Sequence, residues 1–144
     1  MTPQDMAQIH AAAFTDARPW TTAEFTSLLD SPHVFTSTAP HGFALVRVVA
    51  GEAELLTIAV DPAHQGQGIG RRLMTHWMVQ AAQTATDAFL EVAADNAPAR
   101  ALYTGCGFAQ SGLRAAYYAR ADTQAVDAVL MRAPLGEPHP RSAS

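Results

Sequence analysis

No lysine occurs among the 144 residues, so all nine basic side chains are arginines. A Walker phosphate loop, which needs Gly-Lys-Ser/Thr, is therefore excluded, and with it the common nucleoside triphosphatases. Cysteine is nearly absent too: Cys106 stands alone, which rules out an internal disulfide and a metal cluster held by thiolates. The six histidines, His10, His33, His41, His64, His76 and His139, show no pair at metal-ligand spacing along the chain, so each is read as structural or surface and no metal is expected. No apolar run approaches the about 18 residues that cross a bilayer. The N terminus, MTPQDMAQ, has no basic stretch leading into an apolar one. Neither a membrane span nor an export signal is read, and a cytoplasmic location is expected. A formal net charge of −4 leaves no basic excess for general nucleic-acid binding.

What is present is apolar material for one core: 49% of the residues are hydrophobic and 15% charged, which suits a single globular domain, taken as 1–134 with a flexible tail at 135–144. The tail, PLGEPHPRSAS from Pro134 onward, is too polar and proline-rich to order itself.

The most informative stretch is Leu55–Leu73, LLTIAVDPAHQGQGIGRRL. A β-branched apolar run breaks at Asp61-Pro62, passes through Gln65-Gly66-Gln67-Gly68-Ile69-Gly70, and continues as a helical segment. Backbone N–H groups gathered at the positive end of a helix suit phosphate. The dinucleotide fingerprint Gly-x-Gly-x-x-Gly fails, because Arg71 stands where its last glycine belongs. Downstream, Ala88-Phe89-Leu90-Glu91-Val92 reads as a short strand, followed by Asn96, Pro98 and Ala101-Leu102-Tyr103-Thr104-Gly105-Cys106-Gly107-Phe108. Pro98 suits a first helical turn and Gly105 or Gly107 its stop.

Periodicity completes the outline. Met6, Ile9, His10, Ala13 and Phe14 fall at helical spacing, and Thr21-x-x-Glu24 forms a capping box ahead of Phe25, Leu28 and Leu29. His33–Thr38, Phe43–Val49 and Glu54–Val60 read as an antiparallel meander. A long helix from Gly68 to about Thr84 comes next, with Leu73, Trp77, Val79 and Ala81 among its apolar positions. The strand Phe89–Val92 returns parallel to its partner by the right-handed crossover rule, and Gly112–Tyr118 and Gln124–Arg132 end the sheet.

Gln65-x-x-Gly68-x-Gly70 resembles the Gln/Arg-x-x-Gly-x-Gly/Ala pyrophosphate loop of the GNAT superfamily of N-acetyltransferases, and Asn96 with the Leu102-Tyr103 helix is similar to the segment after that family's fifth strand. Pro19-Trp20, Leu90-Glu91-Val92, Tyr117-Tyr118 and Asp127–Met131 further resemble its RimI group, the ribosomal-protein-alanine N-acetyltransferases, over about residues 4 to 135. The resemblance implies an α/β (α+β) GNAT fold: a mixed, mostly antiparallel sheet of six to seven strands, splayed at the acetyl-CoA site and flanked by about four helices. The family's usual first strand has no counterpart in this chain, which leaves both six and seven strands open. Ala93 stands where the group often has arginine, and Val126 where an acidic residue is common.

By the same resemblance, acetyl-CoA is the co-substrate, held by Ile58, Ala59 and Val60 through their backbone, by Gln65, Gly66, Gln67, Gly68, Ile69 and Gly70, by Arg71 with Arg72 beside it, and by Asn96, which is equally read as a helix cap. Glu91 is the implied general base and Tyr103 the general acid. Trp20, Tyr117 and Tyr118 are assigned to the acceptor side. The implied acceptor is the N-terminal α-amine of a protein, which in the RimI group is a ribosomal protein. An α-amine has a reference pKa near 8 against about 10.4 for lysine, which makes it the easier nucleophile. A small amine (polyamine, amino acid or aminoglycoside) and a non-catalytic CoA-binding module remain open alternatives. The chain is expected to be a monomer or weak homodimer, with Cys106 a buried or neutral thiol rather than an acyl carrier.

Overall fold

The computed structural model describes residues 1–14, 18–120 and 124–136. Most of the expected tail, from residue 137 on, and His139 within it lie outside these residues.

Two short helices open the chain, α1 (Pro3–Ala13) and α2 (Thr22–Leu29). Each starts at a reciprocal capping box: Thr2 with Asp5, and Thr21 with Glu24. In both, a hydroxyl accepts from one free N–H and a carboxylate from another, two donors the helix itself leaves unbonded. Three strands come next, β1 (Val34–Ala39), β2 (Gly42–Val49) and β3 (Glu52–Val60), then α3 (Ile69–Ala81), β4 (Asp87–Ala93), α4 (Ala97–Gly105), β5 (Ala109–Tyr118) and β6 (Val126–Pro134). Among the described residues no helix is long and apolar enough to cross a membrane.

The six strands form one sheet in the order β1-β2-β3-β4-β6-β5. Every neighbouring pair is antiparallel except β3–β4, the pair joined by the α3 crossover. Helices cover both faces. On one, Leu73, Met74 and Trp77 of α3 pack with Val46, Leu90 and Met131. On the other, Met6 of α1 and Phe25 of α2 pack with Phe43 and Leu45. Phe43 to Val46 are all buried because β2 has helices on both sides, so its sequence reads as a continuous apolar run. Full burial of side chains of this size stabilises by about 1.5–3 kcal/mol each. Val79, grouped with the apolar positions of α3, instead faces solvent at 65% exposure, off the stripe made by Ile69, Leu73, Trp77 and Ala81.

Two irregularities in the sheet re-aim residues near its open end. The β2–β3 register slips between Leu45 and Val46, whose partners are Thr57 and Leu55, leaving Leu56 extra. A bulge of this kind reverses the facing of everything beyond it. A second slip lies in β5, between Arg114 and Tyr118, where Ala116 takes φ +51° and its N–H donates to Asp127 Oδ1 at 2.8 Å.

Candidate active site

The one parallel pair is short. Glu52, Ala53 and Glu54 pair with Asp87, Ala88 and Phe89, and beyond that point β3 and β4 part. A cleft of about 800 Å³ opens there, walled by Leu55–Val60 of β3 and Leu90–Ala93 of β4. Its floor toward α3 is the glycine turn: Gln65, Gly66, Gly68, Ile69 and Gly70 all line it.

Local chemistry explains the turn. Asp61 caps a single 3-10 turn, Pro62–His64, by accepting from the Ala63 N–H at 3.0 Å. Gln65 ties back to the end of β3, its Nε2 donating to the Val60 carbonyl at 3.3 Å. Gly68 is the N-cap of α3 and sits at φ +79°, a left-handed conformation that branched residues avoid, with no side-chain cap over the first amides. Those N–H groups therefore remain available to an anion. Asn96 caps α4, its Oδ1 accepting from Ala99 N–H at 3.2 Å, and also borders the cleft, so the two readings of this residue are compatible.

Glu91 and Tyr103 reach the same cleft from different elements, β4 and α4. The Glu91 carboxylate is 25% exposed and meets the Arg114 guanidinium at 2.9 Å. Tyr103 is 6% exposed, and burial pushes its phenol well above the ordinary tyrosine range, so it stays protonated. Trp20 and Tyr118 line the mouth, with Tyr118 also raised, by burial and then by Glu91 nearby.

Four expected site residues lie off the cleft. Gln67 does not line it. Arg71 turns toward the end of α4, its Nη1 lying 3.5 Å from the Gly105 carbonyl, because the face of α3 that carries it packs beside α4. Tyr117 is 53% exposed; its ring meets the Tyr118 ring edge-on at 5.1 Å on the outer side and carries the Arg114 guanidinium 5.0 Å from its centre. Arg72 is exposed and likewise off the cleft. Cys106 is half-buried and its thiol is pushed up by burial, so it is the neutral thiol expected.

Residues not expected at the site from the sequence complete the mouth. Arg120 makes a two-bond pair with Asp95, at 2.8 and 3.0 Å, and holds that carboxyl below the usual range. His10 is 4% exposed, stacked between Phe14 and Trp20 at 4.3 and 5.1 Å, and its Nδ1 accepts the Trp20 N–H at 3.1 Å. Burial lowers it from 6.5 to about 4, with Glu24 opposing and Arg18 assisting. Because the folded state binds the proton less well than the unfolded chain, this imidazole's contribution is complete above about pH 6.5 and is lost as pH falls toward 4. Urea unfolding is expected to show about 2 kcal/mol lower stability at about pH 5 than at about pH 7, and His10→Phe to remove that slope. An unchanged slope in the variant would assign it to other groups.

A helix start open to phosphate, a sheet parted beside it, and a carboxylate and a phenol at the opening are the parts a coenzyme-dependent transferase needs. The chain belongs to the Acetyltransferase (GNAT) family, whose profile matches residues 4–108. It is an acetyl-CoA-dependent N-acetyltransferase. It is similar to the N-alpha-acetyltransferase RimI of Mycobacterium tuberculosis, 39% identical over 94% of this chain and 88% of that one. It is also similar to the [ribosomal protein bS18]-alanine N-acetyltransferase of Escherichia coli, 35% identical over 90% of each. A crystal structure of the Escherichia coli ribosomal-protein-S18-alanine N-acetyltransferase superposes with a TM-score of 0.84, at 32% identity, covering 96% of this chain and 91% of that one. The six-stranded sheet and four helices match the GNAT fold.

Proposed function

We propose that the enzyme acetylates the N-terminal α-amine of a protein, with alanine first and a ribosomal protein of the bS18 class as the acceptor. The observation that carries this reading is the joint position of Glu91 and Tyr103 on the cleft that opens where β3 and β4 part. Acetyl-CoA enters along β3, its diphosphate on the amides of the Gln65–Gly70 turn and its pantetheine arm beside Ile58–Val60 like an added strand. The Leu56 bulge supports this, since it re-aims the backbone beyond it.

The acceptor enters from the mouth bounded by Trp20 and Tyr118. Glu91 takes the proton that the α-ammonium must lose, directly or through a water, and the free amine attacks the thioester carbonyl. A C–N bond forms as the carbonyl becomes an oxyanion, which backbone N–H of the β3 end stabilises. Collapse breaks the C–S bond, the protonated Tyr103 phenol donates to the leaving thiolate, and the second proton shed by the acylated nitrogen restores the phenol. The products are an N-acetylated chain and free CoA. The names of the RimI relatives support the acceptor class.

Turnover of acetyl-CoA by the purified protein, against peptides of varied first residue and against polyamines, amino acids and aminoglycosides, tests the reading. Ala-initiated peptides are expected to give the highest kcat/KM. A free small amine outperforming every peptide would move the acceptor class to small molecules.

A further inference from the structure

Outside the transfer chemistry, one cluster of ligating side chains among the described residues has no role. His41 lies in the β1–β2 turn and His64 ends the 3-10 turn that leads into Gln65. They are 23 positions apart by number, yet their rings stack with centroids 3.4 Å apart and planes 5° from parallel. Asp61 lies beside both, and its N–H donates to the His41 carbonyl at 2.8 Å, which welds the turn to the end of β3. One ligand atom from each of the three falls within 4.8 Å of the others. His64 Nδ1 is shielded from solvent and has no hydrogen-bond partner. A buried ring nitrogen without a partner is an unusual thing to leave in a folded protein.

We propose that His41, Asp61 and His64 form a binding site for a divalent transition ion of the zinc class. Two imidazoles and a carboxylate are the donor set such ions take in preference to calcium or magnesium, which favour oxygen alone. Two nitrogens on one tetrahedral ion at about 2.0–2.1 Å stand about 3.3 Å apart, a modest closure for ligand atoms that already lie within 4.8 Å of one another. Ligation asks the parallel rings to fan apart until their lone pairs converge. That motion is mostly about χ2, a broad torsion in histidine. One oxygen of Asp61 already accepts from Ala63, which leaves the other for the ion. The site is reachable: His41 is exposed, His41 and Asp61 border a separate hollow of about 410 Å³, and His64 borders the coenzyme cleft. Water fills the remaining coordination position. With the ion in place, the segment feeding the glycine turn is pinned to the β1–β2 turn.

The test is calorimetric titration of tag-free, chelator-treated full-length protein with zinc chloride, alongside the histidine side-chain nitrogen NMR spectrum. One ion per chain is expected, with ring signals of two histidines moving. His41→Asn suits a turn position at φ +68° and removes the imidazole. His41→Asn and His64→Gln are each expected to weaken zinc binding by about tenfold or more. His33→Asn and His139→Asn are expected to leave it unchanged. Absence of zinc binding, binding that survives the double variant, or binding lost with His33 or His139 would overturn the assignment. Should His64→Gln disturb the neighbouring loop, His41→Asn with its acetyl-CoA affinity intact decides the matter.

Discussion

Glu91→Gln is expected to lower kcat by about 10²- to 10⁴-fold while acetyl-CoA affinity stays within about twofold of wild type. The glutamine keeps the size of the side chain and the fill of the cleft but cannot take a proton. The ion-pair partner, Arg114, sits on the edge strand at 51% side-chain exposure. Losing an ion pair of that kind costs little in stability, so the fold is not the reason for the deficit. The deficit should also narrow as pH rises through about 8, where an α-amine becomes a free base without help. A variant with full rate across the pH profile would exclude the proposed base. A uniform deficit at every pH would point to positioning of the acceptor, with no proton transfer at this carboxylate.

The parts of this enzyme that were legible in the sequence are those decided by neighbours in the chain. The glycine turn announces itself because Gln65, Gly68 and Gly70 act within one short segment, and the capping box at Thr21 and Glu24 does so for the same reason. Glu91 was legible through the resemblance of Leu90-Glu91-Val92 and the nearby Asn96, a pattern held within one short segment. What stayed hidden depends on register. Arg114 meets Glu91 across an intervening strand, since β6 lies between β4 and β5, and nothing within either segment reveals that alignment. Adjacent tyrosines look alike in sequence, yet Tyr118 lines the cleft and Tyr117 faces out, because Asp127 holds the Ala116 N–H and sets the bulge before them. Arg71 stands next to the glycine turn in the chain, yet its guanidinium lies at the end of α4, 3.5 Å from the Gly105 carbonyl. His41 and His64 show no ligand spacing along the chain because the β2–β3 hairpin brings the rings together from its two ends.

Gly68→Val is expected to raise the acetyl-CoA dissociation constant by about 10²-fold, equivalent to about 2.7 kcal/mol. Two effects contribute. Gly68 holds φ +79°, which a β-branched residue adopts only with strain of about 1–3 kcal/mol, so the first turn of α3 is disturbed. A Cβ at Gly68 meets no protein atom within 4 Å and Gly68 lines the cleft, so under the proposed binding mode the added methyls compete with the diphosphate. Gly51 separates these effects. It sits at the same φ, +79°, in the β2–β3 turn, also with nothing within 4 Å of a Cβ, and it does not border the cleft. Gly51→Val should therefore lower the Tm by an amount comparable to Gly68→Val and leave coenzyme affinity unchanged in calorimetry. Equal affinity losses in the two variants would mean that general destabilisation weakens binding. No loss in a folded Gly68→Val would mean that the diphosphate does not rest on these amides.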